Sequence, residues 1–140
     1  MVSLWILDTD HISLFQREHP QVVARLSRIN PNHRAVTIIT VEGQIKGRLK
    51  VINDAKTVDS LGKAYVNFRE TLEFFNSIHV LDFDQEACNY YTELKRQKIR
   101  IGTQDLKIAS IVLSQQGILV TRNRKDFEKI ANLLIEDWTV

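Results

Sequence analysis

The chain has 140 residues and a mass of 16.2 kDa, room for one domain spanning 1–140 and little more. Hydrophobic residues make up 44% and charged residues 26%, with only 5 Gly and 2 Pro, which excludes disordered, collagen-like and linker-dominated architectures. The formal charge of +2 is mildly basic, the single Cys88 has no partner for an internal disulfide, and no Cys/His cluster exists to hold structural zinc, so a reducing cytoplasm is the expected compartment.

In chain order, Leu4-Trp5-Ile6-Leu7 reads as a first strand. The stretch 1–7 carries no basic region and meets a charge at Asp8, and no apolar run anywhere approaches the roughly 20 residues of a membrane span, so neither secretion nor membrane insertion is expected. A helix is predicted over 21–29, then a turn at Asn30-Pro31-Asn32 and a second strand over the β-branched run 36–41. A helix over 42–52 follows, with Gly43 and Gly47 four apart where close packing is expected. Val58, Leu61, Tyr65, Phe68, Leu72 and Phe75 recur at spacings of 3, 4, 3, 4 and 3, one apolar stripe on a long helix, read as the face that packs on the sheet. Strands at 80–83 and 117–121 alternate with helices over 85–98, which holds Cys88, 105–114 and 125–130, and a weaker edge strand is placed at 133–135. Strands alternating with helices, without strict polar alternation inside the strands, indicate an α/β sandwich with a mainly parallel sheet.

In such sheets ligands bind beyond the carboxyl ends of the strands. Asp8 directly follows the first run, Glu42 directly follows the second and opens the next helix, and Asn123 lies two residues beyond Val120, with Asp126 three further on. Asp105 falls in the first turn of a helix that Thr103 is placed to cap. Each residue alone also suits a turn or a helix dipole. Gathered at one sheet edge, however, three carboxylates repel unless a cation offsets them, and oxygen donors without His or Cys select Mg²⁺ or Mn²⁺. That chemistry suits phosphoryl transfer.

If three of the 17 acids serve a metal, the 19 basic residues outnumber the remainder by more than the formal charge suggests. They bunch as Lys46, Arg48 and Lys50, as Lys95, Arg96, Lys98 and Arg100, and as Arg122, Arg124 and Lys125, which points to a nucleic-acid backbone as substrate. His11, His19, His33 and His79 show no metal-ligand spacing and are assigned no role, and Cys88 reads as a packed residue.

The ordered set Leu7-Asp8-Thr9-Asp10, Thr40-Val41-Glu42, the run Gly102-Thr103-Gln104-Asp105-Leu106-Lys107-Ile108-Ala109, and Val120-Thr121-Arg122-Asn123 through Asp126-Phe127 resembles the PIN domain in its VapC-like toxin branch, over nearly the whole chain. The resemblance implies a three-layer α/β/α fold and a Mg²⁺- or Mn²⁺-dependent endoribonuclease that cleaves RNA, forms a homodimer and is inhibited by a cognate antitoxin. It implies Asp8, Glu42 and Asp105 as catalytic metal ligands, with Asn123 in the family's fourth acidic position. Asp10 would orient Asp8, and Thr121 and Thr103 would supply hydroxyl hydrogen bonds. Alternatives are a non-catalytic nucleic-acid-binding module of the same fold, a haloacid-dehalogenase-like phosphatase suggested by Asp8-Thr9-Asp10, and a phosphorylated receiver domain, which lacks its late strand-end Lys here.

Overall fold

The computed structural model describes residues 3–140; Met1 and Val2, the start of the stretch read as lacking a leader, lie outside the described residues. The elements run β1 (Trp5–Leu7), α1 (Thr9–Gln16), α2 (Pro20–Ser27), β2 (Arg34–Thr37), α3 (Ile38–Asp54), α4 (Val58–Asn76), β3 (His79–Leu81), α5 (Gln85–Arg96), α6 (Thr103–Ser114), β4 (Ile118–Val120), α7 (Arg124–Phe127) and β5 (Leu134–Glu136). All five strands are parallel, in the order β3-β2-β1-β4-β5. Successive residues of each strand face opposite sides of the sheet. Accordingly Ile6, Ala35 and Leu119 join Leu94 of α5 and Leu106 of α6 in one core, while Leu7, Val36 and Val120 join Ile12 of α1, Val22 of α2 and Phe75 of α4 in the other. Burial on both faces is why these strands carry no polar alternation, and it makes the molecule the three-layer α/β/α sandwich expected.

Several boundaries differ from the sequence expectation, each for a local reason. The run 36–41 is not one strand, because Thr37 Oγ1 accepts the Thr40 amide at 3.1 Å and starts α3 at Ile38. A side-chain cap at Thr37 thus outweighs the β propensity of Ile38, Ile39 and Val41. Helix α1 had no legible stripe, since Thr9, His11, Ile12 and Ser13 are weak helix formers. It forms because the Asp8 carboxylate caps it through the Thr9 amide and Ile12 is fully buried. Helix α7 is only four residues long, against the six expected.

The stripe on α4 does not pack on the sheet along its length. Ala64, Thr71 and Phe75 are buried, whereas Val58 is 88% exposed and Tyr65 55%. Helix α4 lies along α3, tied by Arg48 Nε donating to Thr71 Oγ1 at 2.9 Å, so only its last turns reach the core. Gly43 and Gly47 likewise do not mediate close packing; a Cβ at either would meet nothing within 4 Å.

Gly117 is the one glycine whose missing Cβ the fold requires. A Cβ there would stand 2.7 Å from Ile6 Cδ1 and 3.0 Å from the Leu4 carbonyl oxygen, at the point where β4 enters beside β1. Gly117→Ala is expected to cost about 1–3 kcal/mol through overpacking, while Gly62→Ala on α4, with open space at its Cβ, should gain about 0.5–1 kcal/mol from helix propensity. Urea unfolding of both variants checks the pair, and effects of equal sign would contradict this account.

Candidate functional site

The sheet order reverses at β1: the chain runs outward through β2 and β3, then returns to place β4 and β5 on the other side. The carboxyl ends of β1 and β4 therefore lie together, and a crevice at such a reversal is where open parallel sheets bind ligands. The Asp8 amide donates to the Val120 carbonyl at 2.9 Å, extending the ladder by one residue and pinning Asp8 at this point. Its side chain is 7% exposed. One carboxylate oxygen accepts the Thr9 amide at 2.8 Å and the other accepts the Thr121 hydroxyl at 2.8 Å. Burial pushes the Asp8 carboxyl up to about 6, and the neighbouring Asp10 and, more weakly, Asp105 push the same way against the two hydrogen bonds.

Asp10, two residues into α1, accepts the Arg122 amide at 3.1 Å on Oδ2 and faces His11 Nδ1 at 2.7 Å through Oδ1. It makes no direct hydrogen bond to Asp8; the two acids share the Thr121 hydroxyl, which lies 3.4 Å from Asp10. Asp105 projects half-buried from the first turn of α6, its carboxyl raised by burial and then by Asp126 and Asp10. The cap of that helix is Gly102 without a side-chain bond, so Thr103 does not serve as the expected cap.

Glu42 stands apart from this group. Because α3 begins at Ile38, Glu42 lies in the helix's second turn and not at the strand end. Its half-exposed carboxylate accepts Gln104 Nε2 at 3.0 Å and pairs with Lys46 at 3.9 Å, which brings it against α6 one residue from Asp105. Asn123 and Asp126 both belong to the cluster: Asn123 Nδ2 donates to Asp126 Oδ2 at 3.2 Å, and Asp126 in turn acts on Asp105. Among the described residues, no three acidic, His or Cys side chains stand close enough together to hold an ion as they are disposed. The donor chemistry is nevertheless that of a hard cation: Asp8, Asp10, Asp105 and Asp126 concentrate like charge at one edge, and Glu42 on α3 is held to Gln104, the neighbour of Asp105 in the chain.

The basic residues divide. Lys50, Arg96 and Arg124 are occupied by Asp54, Glu93 and Glu128, three or four residues away in the chain. Arg122 and Lys125, exposed just past β4, make no ion pair among the described residues and flank the acids. His11, given no role by its spacing, is wholly buried between Asp10 and the C-terminal segment. The adjacency of His11 to Asp10 is the one sequence signal for it.

No protein-family model matches the chain. It is 32% identical to ribonuclease VapC1 of Haemophilus influenzae, over 97% of this chain and 98% of that protein. It is 25% identical to the tRNA(fMet)-specific endonuclease VapC of Salmonella typhimurium, over 96% and 97% respectively. The fold superposes on VapBC-1 from nontypeable Haemophilus influenzae with a TM-score of 0.77 and 28% identity, covering 98% of this chain and 99% of that one.

Asp8 holds its proton more tightly in the folded chain, at about 6, than at the ordinary 3.8. Above pH 6 its ionisation therefore opposes folding, and that cost disappears as pH falls toward 3.8. In chelator-treated protein, Asp8→Asn is expected to be more stable than the parent by up to about 3 kcal/mol at pH 7.5, with the difference fading by about pH 4 in thermal unfolding followed across pH. A pH-independent difference would contradict the burial argument.

Proposed function

The chain belongs to the VapC ribonuclease family, and from that membership we propose that it is a Mg²⁺- or Mn²⁺-dependent endoribonuclease acting as the toxin of a cytoplasmic toxin–antitoxin pair. The observation that carries the metal-centre reading is the buried Asp8 carboxylate, raised to about 6 and surrounded by Asp10 and Asp105 at the switch point of the sheet. Asp8, Glu42 and Asp105 would hold the cation, with Asn123 at its margin. When bound, the cation would polarise the scissile phosphate and lower the pKa of an attacking water.

The chain's own residues prepare the rest. The Thr9 amide and Thr121 hydroxyl hold the two Asp8 oxygens in place, so that the carboxylate needs no reorganisation to act. Gln104 keeps Glu42 beside α6, and Asn123, whose Nδ2 is engaged by Asp126, retains its amide oxygen as a neutral donor. Arg122 and Lys125 face the RNA backbone by charge, without a stacked aromatic platform. A cationic antitoxin tail presenting Arg suits the same acidic groove, because a guanidinium fork satisfies two carboxylate oxygens. No helix is long and apolar enough to cross a membrane among the described residues.

Purified chain is expected to cleave RNA only with Mg²⁺ or Mn²⁺, and Asp8→Asn and Asp105→Asn should each abolish that cleavage while remaining folded by circular dichroism. Mn²⁺ titration of the RNA-free protein should find one site, with a second gained in Asn123→Asp. RNA binding without metal-dependent cleavage would favour the non-catalytic module, and a stable acyl phosphate at Asp8 would favour the phosphatase.

The apolar residues that α4 leaves exposed, Leu61, Tyr65 and Leu72 among them, support a homodimer. Light scattering at micromolar concentration and moderate salt should report twice the chain mass, and a monomer throughout would reject the dimer.

A further inference from the structure

The C-terminal segment after β5 folds back onto the buried side of α1, and one side chain receives it. Trp138 is 1% exposed and His11 is wholly buried, their rings meeting edge to face at 6.2 Å and 84°. Glu136 organises the approach. Its Oε1 accepts Trp138 Nε1 at 3.0 Å, Trp5 Nε1 at 3.3 Å and an Arg25 guanidinium nitrogen at 3.3 Å, while that guanidinium lies 5.4 Å over the Trp138 ring. Held this way, the Trp138 backbone N–H donates to His11 Nε2 at 3.1 Å. An N–H donor claims the lone pair of Nε2, which places the imidazole proton on Nδ1, 2.7 Å from Asp10 Oδ1.

The consequence for the site follows from Asp10's other oxygen. With Oδ1 engaged by His11 on the buried side, Oδ2 is turned to the loop after β4, where it accepts the Arg122 amide. That loop carries Thr121, which holds Asp8, and Asn123, whose backbone N–H donates to Thr121 Oγ1 at 3.0 Å. The acids at the switch point are thus braced from behind by a relay running Trp138 N–H, His11, Asp10, the 121–123 loop and Asp8.

We infer that His11 is a positioning residue: the C-terminal segment fixes its tautomer, and the Nδ1–H so placed sets Asp10 and, beyond it, the geometry of the Asp8 centre. The inference rests on the metal-centre reading above and adds a requirement to it: without this brace the carboxylates still cluster, but their oxygens are not held for a cation.

Two substitutions separate the halves of the relay. His11→Asn places an amide N–H where Nδ1 stands, keeping the bond to Asp10 and losing the acceptor for Trp138; His11→Gln reaches the Nε2 position and does the reverse. Calorimetric Mn²⁺ titration should show His11→Gln weakened by about 10–100-fold and His11→Asn close to the parent, whichever variant is the less stable in thermal unfolding. Both variants binding as the parent, both weakened alike, or a loss confined to His11→Asn would each overturn the inference. A parent chain that binds no Mn²⁺ would remove the metal-centre reading and this inference with it, whereas a binding parent with unaltered variants strikes the inference alone. Nitrogen-15 shifts of the His11 ring in the unmodified protein give a readout independent of folding yield: a proton on Nδ1 is expected, and a proton on Nε2 would overturn the relay.

Discussion

The constraint on which the rest depends is the burial of one carboxylate, Asp8, at the end of the central strand. A charged oxygen pair taken out of water is costly unless it is hydrogen-bonded. Here the Thr9 amide and the Thr121 hydroxyl supply those bonds. The first is local, the next residue in the chain, while the second is a consequence of the sheet order, since only an arrangement with β1 beside β4 brings residue 121 against residue 8. The same order places α1 and the 121–123 loop at one edge, so that Asp10, Asp105 and Asp126 accumulate where Asp8 is already hard to ionise. A site of this kind stores electrostatic repulsion in the folded chain, which is the state in which a cation or a cationic partner is most strongly attracted.

The two cores share the work unequally. The core formed with α5 and α6 is the larger, and its buried Ser110 is satisfied within α6 by the Leu106 carbonyl, while the core formed with α1, α2 and α4 admits His11 and Trp138 and carries a polar network to the surface at Glu136 and Arg25. This second core is the one that backs the acids. Buried polar groups demand complete partnering, and His11 has a partner on each ring nitrogen. Rigidity behind the site and openness in front of it thus come from different residues: the former from the C-terminal segment, the latter from exposed Arg122 and Lys125.

Helix α4 shows how a periodic stripe can be read correctly as a helix and incorrectly as a core face. Its spacing defines one side of a cylinder, but which neighbour covers that side is decided by where the preceding helix sits. Here α4 lies along α3, tied by Arg48 to Thr71, and the α3–α4 pair packs mainly on itself. Tyr65 and Leu72 are left to solvent, and the apolar face is available to another chain.

By itself the sequence determined the class of fold, the alternation of strands and helices, the placing of Asp8 and Asn123 beyond strand ends, and that of Asp105 in the first turn of a helix, because those features are local: β-branched runs buried on both faces, helical spacing, and polar residues at the turn that follows. It did not reveal α1, whose residues are weak helix formers and whose cap and buried face are supplied by Asp8 and Ile12 only in the folded chain. Nor did it reveal that Glu42 turns to Gln104, that Asp126 acts on Asp105, or that His11 joins Asp10 to Trp138. Those contacts link positions up to 127 residues apart, and long-range partners leave no period in a single chain. Tertiary structure alone decided them, through the sheet order that brings β1, β4 and the C-terminal segment to one place.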